Sequence, residues 1–270
     1  MTDRYAVIGN PVTHSLSPRI HGEFARACGQ DIEYTRIEAP LEAFAATVER
    51  FRRAGGKGLN VTLPFKGEAF RYCDRASERA RLAQAVNTLV FGEDAFGDTT
   101  DGIGLVTDLQ ANLGLELRGL RVLLLGAGGA AQGVVGALLE AGVGGLVIAN
   151  RTPAKAEALA TRHAALAPGK VSAGTYEALE GASFDLVVNA TSAGLQGALP
   201  ALPAGVLREG VLAYDMMYGR ETAFLQAAKA AGARTSDGLG MLVEQAAASF
   251  ALWRGVRPQT RAVLAGLRAA

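Results

Sequence analysis

Cysteine is almost absent. Cys28 and Cys73 are the only two in 270 residues, they stand far apart, and they form no CxxC. That excludes a disulfide framework and leaves two inert thiols of a reduced protein as the expectation. Histidine is nearly as scarce: His14 and His21 are seven apart with no cysteine or carboxylate at ligand spacing, so no metal is expected. An excess of charge is missing too. The formal net charge is +1, which gives no broad basic field for nucleic acid and no strong acidic repulsion. Any recognition of charge must be local.

The opening MTDRYAVIGNP lacks the basic, apolar and small-residue order of a signal peptide, so a cytoplasmic protein is expected. A membrane span is not expected either. Between Val122 and Ala149 the only charged residue is Glu140, but eight glycines and Gln132 interrupt the run. It reads as a buried strand–helix–strand unit rather than a bilayer segment. What is present is the balance of a globular protein, with 49% hydrophobic and 20% charged residues. The length suits one large domain or two of ordinary size.

Along the first hundred residues strand and helix patterns alternate. Strands are expected at Tyr5–Ile8, Asp31–Ile37, Gly58–Leu63 and Ala85–Phe91, and helices at Pro18–Cys28 and Leu41–Ala54. Ser17 reads as the N-cap of the first helix, with Pro18 at its first position. A second α/β unit starts near Gly102, with a helical stretch to Asn112. Its strands are expected at Arg121–Leu125, Leu146–Ala149, Asp185–Asn189 and Val211–Asp215, with helices including Ala130–Ala141 and Glu221–Ala231. The apolar pattern Leu239–Trp253 follows the second unit and can fold back on the first.

Strand Val122–Leu125 runs into Gly126-Ala127-Gly128-Gly129-Ala130-Ala131 and then a helix, which is G-x-G-x-x-A in strand–turn–helix context. Gly126 permits the tight turn, Gly128 lets a pyrophosphate reach the backbone, and Ala131 lets the helix pack on the strand. The helix amides then face the phosphates. A plain βα packing turn could share the motif. The next strand ends in Asn150-Arg151-Thr152, where an enzyme using NAD commonly carries an acid for the ribose 2′-hydroxyl. Here arginine and threonine suit a 2′-phosphate, with Lys155 one turn on, so NADP is expected. The loop Asn189-Ala190-Thr191-Ser192-Ala193-Gly194 follows another strand at the carboxyl edge where ligands bind, although an ordinary polar turn would look the same.

Three polar clusters lie in the first unit. In His14-Ser15-Leu16-Ser17-Pro18 two hydroxyls stand just before a helix, suited to an anion or to simple capping. In Asn60–Lys66 the polar pair Asn60 and Thr62 alternates with Val61 and Leu63, and Lys66 follows; a lone lysine is often only a surface charge. The third is Asp98-Thr99-Thr100-Asp101-Gly102, where aspartate before glycine also suits a turn or cap.

Taken together and in order, several segments resemble shikimate dehydrogenases across nearly the whole chain. They are Gly9-Asn10-Pro11 through Pro18, Asn60–Lys66, Ala85-Val86-Asn87-Thr88, Thr100-Asp101-Gly102, Gly126–Ala131, Asn150-Arg151-Thr152 and Gly240–Ala247. The resemblance implies that Lys66 and Asp101 are the catalytic pair. It implies that Ser15, Ser17, Thr62, Asn87, Gln245 and Tyr218 hold the substrate carboxylate and ring hydroxyls. Gly238, Met241 and Thr191 then join the glycine turn and Asn150, Arg151, Thr152 and Lys155 around NADP.

The implied fold is a mixed-sheet α/β substrate domain (residues 1–101 with 238–270) and a doubly wound Rossmann domain (102–237), with the C-terminal helices returning to the first. The implied reaction is reduction of 3-dehydroshikimate to shikimate with NADPH, in chorismate and aromatic amino-acid biosynthesis, by a monomer or homodimer. The chain departs from the family's usual residues at Gly22 and Thr99, where asparagine is common, and at Gly219-Arg220, where a proline is more typical. Two rivals remain: a quinate/shikimate dehydrogenase of broader specificity, which tends to use NAD, and a non-catalytic NADP-sensing module, which would not need Lys66 with Asp101.

Overall fold

The computed structural model describes residues 2–191, 199 and 201–269. Two compact units make up the chain, Met1–Gly104 with Leu242–Ala270, and Leu105–Met241.

The first unit is built on a mixed sheet of β1 (Asp3–Gly9), β2 (Ile32–Glu38), β3 (Gly56–Val61), β4 (Arg75–Ala76), β5 (Thr88–Phe91) and β6 (Ala95–Asp98), in the order β2-β1-β3-β5-β6-β4. β1 runs parallel to β2 and β3, whereas β5 is antiparallel to β3 and β6. Residues 5–9 of β1 are all buried, as an inner parallel strand covered on both faces must be. Helix α1 (Ser17–Ala27) and helix α2 (Phe44–Arg53) cover the sheet. α2 buries Phe44, Thr47, Val48 and Phe51, the spacing of one helical face. The short elements β4, β6, α3 (Lys66–Tyr72) and α4 (Glu78–Ala83) were not among the sequence expectations, because two to seven residues do not display a period.

One expectation needs correction. Ser17 is the first helical residue and not the N-cap; Leu16 takes that place and offers no side-chain bond, while Pro18 does sit in the first turn. The turn closed by Ser15 N–H on the Val12 carbonyl, at 3.0 Å, brings Ser15 Oγ back to accept from the Ser17 N–H at 3.3 Å. Ser15 therefore does the capping, and the Ser17 side chain is left to turn inward, where it is buried.

The second unit is a fully parallel sheet of β7 (Arg121–Leu125), β8 (Gly145–Ala149), β9 (Val171–Gly174), β10 (Leu186–Asn189), β11 (Leu212–Asp215) and β12 (Arg234–Ser236), ordered β12-β11-β10-β7-β8-β9. The strand order reverses between β7 and β10, the switch point of a doubly wound Rossmann fold. Helix α5 (Asp101–Thr107) leads into this unit and ends in a π turn, Asp108–Asn112. The apolar stretch Val122–Ala149 is β7, α6 (Gly129–Glu140) and β8. Val122 and Leu124 pack with Val134, Val135 and Leu138 of α6. Leu123 and Leu125 pack on the opposite face with Phe224 and Ala228 of α8 (Ala223–Ala230). The described residues of this unit also include α7 (Pro153–His163) and a short 3-10 turn, Glu177–Leu179. Among the described residues no helix is long and apolar enough to cross a membrane.

The chain then returns to the first unit through α9 (Leu239–Arg254) and α10 (Arg261–Arg268). Trp253 of α9 stacks on Tyr5 of β1 with ring centroids 4.7 Å apart, and its Nε1 donates to the Leu89 carbonyl at 3.0 Å.

Candidate active site

In the first unit, Phe65 is fully buried against Phe44, their centroids 5.1 Å apart, and fixes the turn out of β3. Lys66 follows as the first residue of α3, its carbonyl accepting from Val86 N–H at 3.0 Å. Asp101 opens α5 and is 4% exposed. Between them Lys66 Nζ donates to Asp101 Oδ2 at 2.6 Å. The other carboxylate oxygen accepts from Asn87 Nδ2 at 3.0 Å. The pair is thus sheltered and satisfied on both oxygens, which is what a buried charge requires.

Asn87 is locked from behind. Its Oδ1 accepts from Thr100 N–H and from Thr88 Oγ1, each at 2.8 Å. Its Nδ2 also reaches Thr100 Oγ1 at 2.9 Å and Gln245 Oε1 at 3.2 Å. Gln245 in turn donates from Nε2 to the Leu242 carbonyl at 2.9 Å. Behind this layer Asn60 donates from Nδ2 to Ser249 Oγ at 2.9 Å, and Ser249 lies 2.7 Å from Thr88 Oγ1. Asn60 Oδ1 accepts from Tyr34 Oη at 2.7 Å and from His21 Nε2 at 3.1 Å. The Tyr34 hydroxyl is bonded by Ser17, and Ser15 Oγ donates to Ser17 Oγ at 3.1 Å. A continuous chain of polar groups therefore joins Ser15 and Ser17 to Lys66 and Asp101.

Because Asn60 Oδ1 is an acceptor, His21 carries its proton on Nε2. Complete burial lowers the His21 pKa to about 3, with the Asn60 bond pulling weakly the other way. Of the expected substrate residues, Ser15, Ser17, Asn87 and Gln245 belong to this chain. Thr62 stands at the exit of β3, its N–H donating to the Ile8 carbonyl at 2.9 Å. Tyr218 is half-buried, shortly after β11 in the second unit.

In the second unit β7 passes into Gly126, whose φ of +107° favours glycine and whose N–H donates to the Ala149 carbonyl at 2.8 Å. Ala127 is buried, Gly129 and Ala130 are half-buried, and Ala131 is sealed in the core. Gly128 is the N-cap of α6 with φ −83°, a conformation open to any residue, and no side chain caps the helix. A Cβ at Gly128 would find no atom within 4 Å. Neither packing nor backbone thus calls for glycine there. The open space in front of the α6 amides is what a side chain would fill, and it fits a pyrophosphate.

At the exit of β8, Asn150 Nδ2 donates to the Thr152 carbonyl at 2.9 Å and shapes the turn. Arg151, Thr152 and Lys155 are all exposed beside it, Thr152 as the N-cap of α7. The run Asn150–Lys155 contains no acid, so two cations and a hydroxyl are available to a 2′-phosphate. Thr191 is held at the exit of β10 by Asn189 Oδ1, which accepts from its Oγ1 at 2.7 Å and its N–H at 3.1 Å. The expected loop residues Ser192, Ala193 and Gly194 lie outside the described residues. Gly238 and Met241 are buried where β12 gives way to α9.

Sequence reading did not single out Tyr34, Thr88 or Ser249. Tyr34 and Ser249 carry no local signal; Thr88 directly follows Asn87 in a segment already noted.

Comparison with known proteins agrees with this geometry. Family models match residues 7–89 (shikimate dehydrogenase substrate binding domain), 108–196 (shikimate / quinate 5-dehydrogenase) and 238–268 (shikimate 5′-dehydrogenase C-terminal domain). A shikimate dehydrogenase (NADP⁺) of Nitrosospira multiformis is 58% identical over 99% of this chain and 98% of its own. A crystal structure of an Ael1 enzyme from Pseudomonas putida is 54% identical, covers 98% of each chain and superposes with a TM-score of 0.91. That of shikimate 5-dehydrogenase from Thermus thermophilus in complex with NADP(H) and shikimate is 38% identical, covers 99% of each chain and gives 0.87. With full-length relatives at such identity, and a mixed-sheet unit and a Rossmann unit matching theirs, the chain belongs to the shikimate dehydrogenase family.

Proposed function

We propose that this protein reduces 3-dehydroshikimate reversibly to shikimate with NADPH, as a step of chorismate and aromatic amino-acid biosynthesis. The observation that carries the reading is the sheltered Lys66–Asp101 pair at 2.6 Å, set among neutral hydrogen-bonding side chains. Bound NADPH supplies the hydride that reduces the ketone carbon. The chain supplies the proton and the positioning.

As the ketone becomes an alkoxide, the Lys66 ammonium stabilises the developing charge and passes a proton to that oxygen. In the reverse direction the amine takes the hydroxyl proton. Asp101 holds Nζ in place and accepts from the neighbouring substrate hydroxyl. Asn87, Gln245, Thr62 and Tyr218 bind ring hydroxyls, each amide or hydroxyl serving as donor or acceptor as needed. Ser15 and Ser17 receive the carboxylate. For the cofactor, the turn Gly126–Ala131 takes the pyrophosphate, Asn150, Arg151, Thr152 and Lys155 take the 2′-phosphate, and Thr191, Gly238 and Met241 complete the site. Residues 1–101 with 238–270 are the substrate and catalytic domain in this reading, and 102–237 the NADP domain. It works in the cytoplasm, as a monomer or homodimer.

The test is nicotinamide reduction by the purified protein, comparing shikimate with quinate and NADP⁺ with NAD⁺. Turnover with shikimate and NADP⁺, and little with the other combinations, is the expected result. Equal turnover of quinate would move the protein to the broader class. NADP binding without turnover of either acid would make it a sensor or give it another substrate.

A further inference from the structure

Beyond the residues assigned above, the second unit buries a carboxylate that the proposed chemistry does not use. Asp108 opens the π turn and is completely buried. Tyr214, also completely buried in β11, donates from Oη to Asp108 Oδ2 at 2.7 Å, and Asn112 Nδ2 donates to Oδ1 at 2.9 Å. The same tyrosine oxygen accepts the backbone N–H of Met241.

The segment leading to Met241 is pressed against this group. A Cβ on Gly240 would lie 1.9 Å from Asp108 Oδ1, and one on Gly238 would lie 2.3 Å from the Met216 carbonyl oxygen. Gly238 N–H donates to the Met217 carbonyl at 2.9 Å. The first turn of α9 is therefore tied to the buried carboxylate through the Tyr214 hydroxyl, which takes the Met241 N–H, while the Leu239 N–H donates to Asp237 Oδ1 at 3.4 Å. Apolar side chains would hold a helix end at lower desolvation cost. Directional bonds add a fixed position. The π turn points the same way, since such bulges occur often at functional sites.

The Rossmann order says which part of a dinucleotide that position serves. Arg151 at the end of β8 and the glycine turn after β7 mark the adenosine half, and the other half of the ligand lies across the switch point over β10, β11 and β12. Gly238–Met241 follows β12 and packs on the exit of β11, so it belongs to the nicotinamide half.

We propose that Asp108 and Tyr214 are positioning residues, a buried clamp that sets the Gly238–Met241 segment for the nicotinamide end of NADP; this rests on reading the second unit as the NADP site. The clamp does not touch the adenosine end. Removing one of its bonds weakens NADPH and spares the adenosine fragment.

The experiment measures dissociation constants of NADPH and of 2′,5′-ADP, with melting temperature as a fold check, for the wild type, Tyr214→Phe, Asp108→Asn and Met241→Ala. The clamp predicts that Asp108→Asn weakens NADPH roughly five- to tenfold, the worth of one buried hydrogen bond, and that Tyr214→Phe, which removes the bonds to Asp108 and from Met241 N–H, weakens it at least as much, with 2′,5′-ADP unchanged in both. Met241→Ala should weaken NADPH alone as well. Equal loss of both ligands in the clamp variants would mean general loosening and would overturn the proposal. Unchanged NADPH binding in both clamp variants, with Met241→Ala impaired, would overturn the clamp but keep the cofactor reading. No NADPH binding by the wild type, or none of the expected effect in Met241→Ala, would overturn the reading on which it rests. If Asp108→Asn does not fold, Tyr214→Phe decides.

Discussion

The two candidate sites are made in opposite ways. Around Lys66 and Asp101, side chains do the work. The pair is sheltered, and Asn87, Thr88, Thr100, Asn60 and Ser249 form a dense, buried hydrogen-bonded layer behind it. At the glycine turn the backbone does the work: open space lies before the α6 amides, and Arg151, Thr152 and Lys155 are exposed. A group that must move a proton at one atom has to be held before the substrate arrives. A site that holds a large charged cofactor can use fixed amides and let long exposed side chains close on the phosphate. The first design concentrates its cost in folding and the second in binding.

Asp101→Asn is the substitution that breaks the contrast most sharply. The amide can no longer accept from both Lys66 and Asn87, and kcat should fall about a hundredfold or more while NADPH affinity holds, read by steady-state rates beside direct cofactor titration. Acid sharpens it next. The depressed His21 pKa means that the unfolded chain binds a proton the folded chain refuses, so its contribution to stability is complete above pH ~6.5. It is lost progressively as pH falls toward about 3. Denaturant unfolding between pH 7 and 5 should therefore lose up to about 1.4 kcal/mol per pH unit from this group, and His21→Gln should flatten that slope. An unchanged slope in the variant would remove His21 from the account.

On the exposed side, Arg151→Ala should weaken NADP about ten- to a hundredfold and leave NAD nearly untouched, the range for charge-assisted bonds. The wild-type preference should also shrink at high salt. Equal loss of both cofactors would contradict the 2′-phosphate role. The smallest effect concerns Thr99, whose buried Oγ1 has no partner among the described residues. Thr99→Val should be neutral or stabilising by about 1 kcal/mol in urea unfolding, because it removes an orphan hydroxyl and keeps the shape.

The same contrast explains what could be read from the chain. The glycine turn and Asn150-Arg151-Thr152 were legible because backbone chemistry leaves short, local spacings with a mechanism. Lys66, Asp101 and Asn87 were legible through segments that resemble a family in order. The layer behind them was not. Ser249 meets Thr88 across 161 residues of chain, and either alone is an ordinary hydroxyl in a helix or strand. Tyr34 looks like an ordinary apolar-face residue of an edge strand until β3 brings Asn60 against it. Asp108 gave no signal because, besides the nearby Asn112, its partner is Tyr214 of β11, 106 residues on. The capping role moved from Ser17 to Ser15 for a related reason: the preceding turn decides which hydroxyl reaches the free amides.

The central claim is that Lys66 acts on the transition state and not on binding. Single-turnover oxidation of bound NADPH by 3-dehydroshikimate, in wild type and Lys66→Ala, tests it most directly when both dissociation constants are measured alongside. The account predicts a rate about a thousandfold lower in the variant, with NADPH affinity unchanged and substrate affinity little altered. A variant that transfers hydride at near the wild-type rate would contradict it.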